Sequence, residues 1–419
     1  MLRFTILLVL GLILPDLYIF LVYLSSRIKN KVLRYLYWVP TLILVLLYVY
    51  VMHISSENAM HDHVRTVGWL AVLATLFAVP KNIFMLISLI GNGIHRIVRK
   101  CPTKPFTITG IVLGTIFFSI TLYGCTLGVS RFIVKEVEYR SDRLPEAFDG
   151  YRILQLADLH IGSFKYMPRK LDKLVDLCNE QKADLMVFVG DLVNQHSDEV
   201  YPFIPVLSKL HAPDGCYSIL GNHDYGLYYK WNSRADREQD SIQMLLAHPA
   251  MGWKLLNNAS DVIHRQGDSI AILGVENEGL KSKPCRADLP AALEGTEGMF
   301  KILLSHDPTH WKMEVLPQSD VDLTLSGHTH GMQMKMFGHS PAELLYDEWS
   351  GMYREGGRAL YVSEGVGFVG LPFRFGAWPE ITVITLRTKK RPASAVSEKK
   401  LREIHIGLPG AMKNILKII

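Results

Sequence analysis

The sequence predicts a layered α/β domain carried behind an N-terminal bundle of four membrane-spanning helices, and three observations predict it. Long apolar stretches crowd the first third of the 419 residues. Short apolar runs alternating with amphipathic stretches fill most of the rest. Those short runs repeatedly end in Asp, Asn or His. A chain of this length has room for a large core and a second module.

The long stretches run from about Leu2 to Leu24, Tyr35 to Ile54, Thr66 to Ile94 and Phe106 to Ser130. Each reaches the roughly 20 residues that cross a bilayer as helix, whereas buried core helices are usually shorter and amphipathic. The first lacks the basic start and the small-x-small cleavage site of a removable signal peptide, so it reads as a retained helix. Asp16 interrupts it, and Pro80, Lys81 and Asn82 interrupt the third; contacts to a neighbouring helix accommodate such residues. Arg27, Lys29, Lys31 and Arg34 lie between the first two stretches, and Arg96, Arg99, Lys100 and Lys104 between the last two. The middle loop offers Arg65 beside Glu57 and Asp62. The positive-inside rule puts the two basic loops in the cytoplasm and both ends of the bundle, with all that follows it, on the extracytoplasmic side of a plasma (inner) membrane. Arg131, Lys135, Arg140 and Arg143, just after the fourth stretch, run against that asymmetry.

The net charge of +5 is modest and forms no basic stripe with interleaved aromatics, so nothing points to nucleic acid as a partner. Cys101, Cys125, Cys178, Cys216 and Cys285 are scattered with no CxxC pair. They make neither a zinc knuckle nor a disulfide framework and read as free.

From about Tyr151 the pattern is that of strands and helices in layers. "YRILQLADLHIG", "ADLMVFVGDLVN", "GCYSILGNHDYG", "FKILLSHDP" and "VDLTLSGHTHG" each pass from an apolar run into a polar cluster. Between the first two, "MPRKLDKLVDLCNEQKA" spaces Leu171, Leu174, Val175, Leu177 and Cys178 as one face of a helix. That is a strand, helix, strand unit. In open α/β sheets ligands sit beyond the carboxyl ends of strands, so the five clusters are expected to converge on one crevice.

The clusters supply carboxylates from Asp158 and Asp191, an amide oxygen from Asn222, and imidazoles from His160, His306, His328 and His330. In extended backbone, His328 and His330 on either side of Thr329 point to one spot. A mixed oxygen and nitrogen set without thiolate suits Mn, Fe, Zn or Co better than calcium. Seven such groups are too many for one four-coordinate ion. They are about right for two divalent ions sharing a carboxylate.

Asp158-x-His160, Gly190-Asp191, Gly221-Asn222-His223-Asp224, His306 and Gly327-His328-x-His330 stand in the order of the calcineurin-like metallophosphoesterases, which the chain resembles from about Tyr151 to Leu386. "LTLSGHTHGMQ", "LYVSEGVG" and "PEITVITL" resemble more narrowly the bacterial membrane-attached branch, which often has a second glycine where Met332 stands. The resemblance implies a four-layer sandwich of two mixed β-sheets flanked by helices. It implies that Asp158, His160 and His330 hold one metal, Asn222, His306 and His328 the other, and that Asp191 bridges them. It implies hydrolysis of a phosphate ester or pyrophosphate bond by a metal-activated hydroxide, with His223 as the non-ligand histidine. From there, His223 is placed to protonate the leaving oxygen and Asp224 to orient its ring.

The expected organisation is 1–130 membrane region, 131–150 linker, 151–387 catalytic domain and 388–419 basic tail. Two aromatic and charged segments, "YGLYYKWNSRADREQD" and "FGHSPAELLYDEWSGMYREGG", read as walls or lids of the site. Glu276 and Asn277 are placed at its rim. On a domain tethered to a bilayer, those aromatics suggest a phosphorylated small molecule, lipid or cell-envelope intermediate as substrate. A nuclease of the same family, or a membrane protein that senses metal or phospholigand without catalysis, is the alternative.

Overall fold

The computed structural model describes residues 2–54, 64–280 and 282–389. The middle loop with Glu57 and Asp62, and the basic tail from residue 390, lie outside the described residues.

The apolar stretches are helices: Leu2–Ile19 continuing as a π-helical turn Phe20–Leu24, then Lys31–Leu36 with Val39–Ile54, Val64–Ile97, and Lys104–Thr126. Among the described residues three are long and apolar enough to cross a membrane, Lys31–Val51, Thr66–Ile97 and Lys104–Ser130; the apolar part of the first helix, Leu10–Leu24, is shorter. The polar interruptions answer one another. Lys81 Nζ lies 2.6 Å from Asp16 Oδ1, Tyr37 donates to the same oxygen at 2.9 Å, Thr41 donates to Oδ2, and Asn82 donates to the Gly11 carbonyl at 2.8 Å. A paired buried carboxylate knits three helices where an unpaired one would be costly. Gly110 and Gly114 let the fourth helix approach the third so closely that a Cβ at Gly114 would stand 3.0 Å from the Pro80 carbonyl oxygen.

Twelve strands follow among the described residues: β1 Ile133–Ser141, β2 Arg152–Leu156, β3 Leu185–Val189, β4 Cys216–Ile219, β5 Lys254–Leu255, β6 Ala259–Arg265, β7 Asp268–Gly274, β8 Phe300–Leu304, β9 Leu323–Ser326, β10 Gly351–Glu355, β11 Arg358–Val362 and β12 Glu380–Thr388. They form two mixed six-stranded sheets, in the orders β1-β12-β2-β3-β4-β5 and β10-β11-β9-β8-β7-β6. Within the span read as a linker, β1 pairs in parallel with β12 along its whole length, so this stretch is an edge of the first sheet. The arginines and lysine after the fourth helix are engaged there too: Lys135 with Glu380, Arg140 with Glu138, and Arg143 with Asp320 and Asp322.

Side-chain alternation builds the layers. Ile153, Leu185, Val187 and Val189 of the first sheet meet Ile270, Ile272, Phe300, Ile302, Leu304, Leu323 and Leu325 of the second in one inter-sheet core. Their neighbours Leu154, Leu156, Met186 and Phe188 face outward onto Leu171, Leu174, Val175 and Cys178 of the helix Pro168–Glu180, and onto Met244 and Ala247 of the helix Arg234–Ala250. Ala271, Leu273 and Leu303 pack outward on the second sheet against Leu289, Trp311 and Val315. The result is helix, sheet, sheet, helix. Strands buried on both faces explain why β2, β3, β8 and β9 read as near-continuous apolar runs.

One outer-layer residue makes stability depend on pH. His248 is wholly buried, its Nδ1 lies 2.8 Å from Ser218 Oγ, and burial pushes its pKa down to about 3. A depressed histidine pKa means that the unfolded chain takes up the proton first. The stability it contributes is complete above the unfolded value of about 6.5 and is lost as pH falls toward 3. At pH 5 the loss is about 2 kcal/mol. Denaturant titrations of the detergent-solubilised protein at pH 7.5 and 5.0 are expected to differ by that much more in the native chain than in His248→Gln. Equal differences would refute the assignment.

Candidate metal centre

The strand ends meet where the first sheet faces the second. Asp158 and His160 follow β2, Asp191 follows β3, and Asn222 and His223 follow β4; His306 follows β8, and His328 and His330 follow β9. Ligand atoms of Asp158, His160 and His330, of His160, Asp191 and His223, and of Asp191, His306 and His328 each gather within 4.8 Å of one another. The other six residues named as ligands from sequence are thus linked to Asp191: His160, His306 and His328 directly, Asp158 and His330 through His160, and Asn222 through His328.

The backbone there is unusual. Asp158, His160, Asp191, His328 and His330 have φ of 53°, 42°, 58°, 71° and 52°, a region that side chains avoid at roughly 1–2 kcal/mol each. Main-chain bonds across the sheet hold it: Asp158 and His160 donate to the Gly190 and Asp191 carbonyls at 3.0 and 3.1 Å, and Gly327 donates to the His306 carbonyl at 3.0 Å. Gly190, at φ 81°, sits so close to the next loop that a Cβ there would lie 2.6 Å from the Gly221 nitrogen. Met332 also has positive φ, at 44°, and is 46% exposed. Met332→Gly is expected to raise stability by about 0.5–1 kcal/mol, the relief of left-handed strain exceeding the entropy lost by glycine. Denaturation midpoints at unchanged slope check it.

The hydrogen-bond partners decide which ring nitrogens carry protons. His160 Nδ1 faces the Val193 carbonyl at 3.0 Å and His306 Nδ1 the Val189 carbonyl at 2.8 Å. Both rings therefore keep the proton on Nδ1 and turn a bare Nε2 toward Asp191 Oδ2, at 3.6 and 3.2 Å. His328 presents Nε2 to Tyr346 at 3.2 Å and Asp307 at 3.5 Å, leaving Nδ1 2.9 Å from Asn222 Oδ1. The Asn222 amide nitrogen is occupied by Tyr228, at 2.8 Å. At Asp191 Oδ2 acceptors thus point at an acceptor, an arrangement that a cation satisfies and a structural core does not need. Without a cation the remedy is a proton. Burial opposes charge on His306, but the Asp191 carboxylate beside it prevails and pushes its pKa up to about 10. Burial likewise holds His160 down at about 3. Asp191 stays well below the usual carboxylate range despite burial, because His306, His223 and His160 surround it. Asp158, buried and close to Asp191, is pushed up to about 7. The donor set fits divalent metal.

His330 is held differently. Arg374 Nη2 lies 2.9 Å from its Nδ1, and its Nε2 faces Asp158 Oδ1 at 3.4 Å and His160 Nε2 at 3.1 Å.

His223 lies beside these groups with its backbone nitrogen donating to Asp191 Oδ1 at 2.8 Å. Asp224, expected to orient the His223 ring, does something else: its oxygens accept from the backbone nitrogens of Leu192, Val193 and Gly221 and so fasten the Asp191 loop to the Asn222 loop. The ring is oriented instead by the Asn194 carbonyl, 2.7 Å from Nδ1, and by Tyr228 stacked on it at 4.2 Å. Glu276 and Asn277 are not brought to the centre; Asn277 is fully buried and donates to the Pro284 carbonyl. Tyr228 and Tyr346 come from the two aromatic segments, so those segments do wall the site. Asp307 stood unassigned in the cluster after β8, and Arg374 carried no sequence signal.

A cavity of about 280 Å³ opens beside His223. Lys165, Asn194, Gln195, Tyr228 and Phe368 line it, and so does Gly68 of the helix Val64–Ile97.

The membrane region matches a model described as "Probable Calcineurin-like phosphoesterase, transmembrane domain" over residues 2–129, and residues 151–332 match "Calcineurin-like phosphoesterase". The chain is 32% identical over 281 residues to the uncharacterized metallophosphoesterase YkuE of Bacillus subtilis, covering 64% of this chain and 90% of that protein. It is 26% identical to the uncharacterized metallophosphoesterase Cj0846 of Campylobacter jejuni over 88% of this chain and 95% of that one. To the transmembrane protein with metallophosphoesterase domain of Danio rerio it is 30% identical over 67% of this chain, spanning 62% of that relative's length. Given this likeness and two sheets whose strand ends gather candidate metal-binding side chains, the chain belongs to the calcineurin-like metallophosphoesterases, metal-dependent hydrolases, here joined to a transmembrane domain.

Proposed function

We propose that the protein is a membrane-anchored two-metal phosphoesterase that cleaves a phosphate ester or pyrophosphate bond of a lipid or cell-envelope substrate. Asp158, His160 and His330 would hold one divalent ion, Asn222, His306 and His328 a second, and Asp191 both; the oxygen and nitrogen donors favour Mn, Fe, Zn or Co. The observation that carries the reading is the pair of bare imidazole nitrogens, of His160 and His306, converging on Asp191 Oδ2. Divalent ions bound there supply Lewis acidity toward a phosphate ester and lower the pKa of water.

The protein's own groups do the rest. His223, with Nδ1 fixed on the Asn194 carbonyl, presents Nε2 to hold a proton for the leaving oxygen. Asp224 keeps the Asp191 and Asn222 loops in register. Lys165, exposed on the cavity wall, offers positive charge to an anionic group.

The lipid reading is supported by the cavity that joins His223 to Gly68, at the start of a membrane helix. Trp69 beside Gly68 is 60% exposed, and Tyr123 and Trp378 meet at the end of the fourth helix; aromatic residues of this kind favour the membrane interface. A headgroup at the centre would leave its apolar chains at bilayer level. The basic loops lie at the opposite end of the bundle, which supports an extracytoplasmic catalytic domain in a plasma (inner) membrane spanned four times. In this reading 1–130 is the membrane region, 131–150 the connection that includes β1, 151–387 the catalytic domain and 388–419 a basic tail. The full-length protein in Mn is expected to hydrolyse a phospholipid monoester or diester in mixed micelles at least about tenfold faster, by kcat/KM, than a short-chain soluble ester, because uniform binding of the chains lowers KM. Equal rates would remove the lipid assignment and leave the phosphoesterase.

A further inference from the structure

Arg374 is completely buried. Its Nε donates to the Gly367 carbonyl at 2.8 Å, and Nη1 to those of Glu364, His330 and Ala377 at 2.7, 3.2 and 3.3 Å. Nη2 reaches Gly367 again and lies 2.9 Å from His330 Nδ1. A buried guanidinium surrounded by carbonyls fixes the chain segments that supply them, because removing it would leave several acceptors unpaired at once. Two of those segments belong to the metal centre. One is His330 itself. The other is the loop at Gly365 and Gly367, which lies directly behind Asp158: Gly367 donates to the Asp158 carbonyl at 2.8 Å, and a Cβ at Gly367 would stand 2.1 Å from the Leu159 carbonyl oxygen.

The backbone of Arg374 faces the other way, onto the membrane bundle. Its nitrogen donates to the Gly124 carbonyl at 3.2 Å, near the end of the fourth helix. One turn on, a Cβ at Gly128 would fall 2.0 Å from the Arg374 carbonyl oxygen. Tyr123, Phe375 and Trp378 pack edge to face around this joint at 5.6–6.3 Å between ring centres, and Arg131 covers Trp378 at 4.6 Å. By contrast Asn222, His306 and His328 are held by Tyr228, the Val189 carbonyl, Asp307 and Tyr346. None of these belongs to the segment that carries Arg374.

We propose that Arg374 is a positioning residue through which the seating of the fourth membrane helix sets His330 and Asp158, so that one half of the metal centre is complete only while that helix end is docked. This rests on the two-metal reading above. The two halves of the centre are unequal in their support: one hangs from the catalytic fold alone, the other also from the membrane.

The test uses the full-length protein in nanodiscs, stripped of metal and titrated with Mn²⁺ alone, with bound Mn²⁺ followed by electron paramagnetic resonance and calorimetry. Arg374→Met is expected to weaken one of two Mn²⁺ sites by about tenfold or more, the effect of removing an outer partner of a metal ligand, with the other site unchanged. Gly128→Ala and Trp378→Leu, remote from every ligand, are expected to weaken the same site in the same direction. Arg374→Lys should not restore it, since an ammonium cannot bridge carbonyls arranged for a planar fork. Native affinity at both sites in Gly128→Ala and Trp378→Leu overturns the inference, and so does equal weakening of both sites in Arg374→Met. A native chain that binds no Mn²⁺ at all instead overturns the metal-centre reading beneath it.

Discussion

Asp191→Asn is expected to lower kcat by about 10³-fold or more, equivalent to ~4 kcal/mol of transition-state stabilisation. The substitution keeps the volume of the side chain and the acceptor that takes the His223 backbone N–H at 2.8 Å. It removes the charge that the His160 and His306 rings face, and it can place an amide N–H where two bare imidazole nitrogens need an electropositive partner. In the two-metal reading the Asp191 carboxylate would also offset the mutual repulsion of the cations. The loss is expected to persist at saturating Mn and to be matched by fewer ions bound per chain, measured by metal analysis after gel filtration. A variant that kept activity within about tenfold of the native chain would place the chemistry elsewhere.

His223→Asn should separate two classes of ester. The ring is held by the Asn194 carbonyl and by stacking on Tyr228, so its Nε2 is free to serve a leaving oxygen. Alkoxide leaving groups need a proton and nitrophenolate does not. General acid catalysis contributes roughly 10²–10⁴-fold where the proton is needed. The variant is therefore expected to lose about 10²–10³-fold on an alkyl phosphodiester and only a few-fold on the nitrophenyl analogue. Equal losses on both would reduce His223 to a support for Asn222.

Much of this centre was legible in the sequence because its logic is local. β2, β3, β8 and β9 are buried on both faces, so they read as apolar runs, and the residues just past their ends are those that reach the crevice. The helix Pro168–Glu180 announced itself through Leu171, Leu174, Val175 and Cys178 at helical spacing. What stayed hidden depends on pairings distant in sequence. β1 alternates half-buried and exposed residues with charges interleaved, as an edge strand does, and so resembles a connector. Asp224 follows a histidine that needs an orienting group, yet its partners are backbone amides of Leu192 and Val193, brought near only by the sheet. Arg374 looks like any surface arginine until the loops around it close. The polar residues in the membrane stretches were visible as exceptions, but which of them met could not be read before Asp16 and Lys81 were seen together.

The insertion of β12 between β1 and β2 has a consequence for how the protein is made. β1 is the first strand to emerge after the fourth helix, and its sheet neighbour among the described residues, β12, is synthesised after nearly all the rest of the domain. Throughout translation that edge waits open at the bilayer surface, the kind of long-range closure that is slow to form. Lys135, Glu136, Glu138 and Arg140 along it are well suited to the wait, because charged edges resist pairing with strands from other nascent chains.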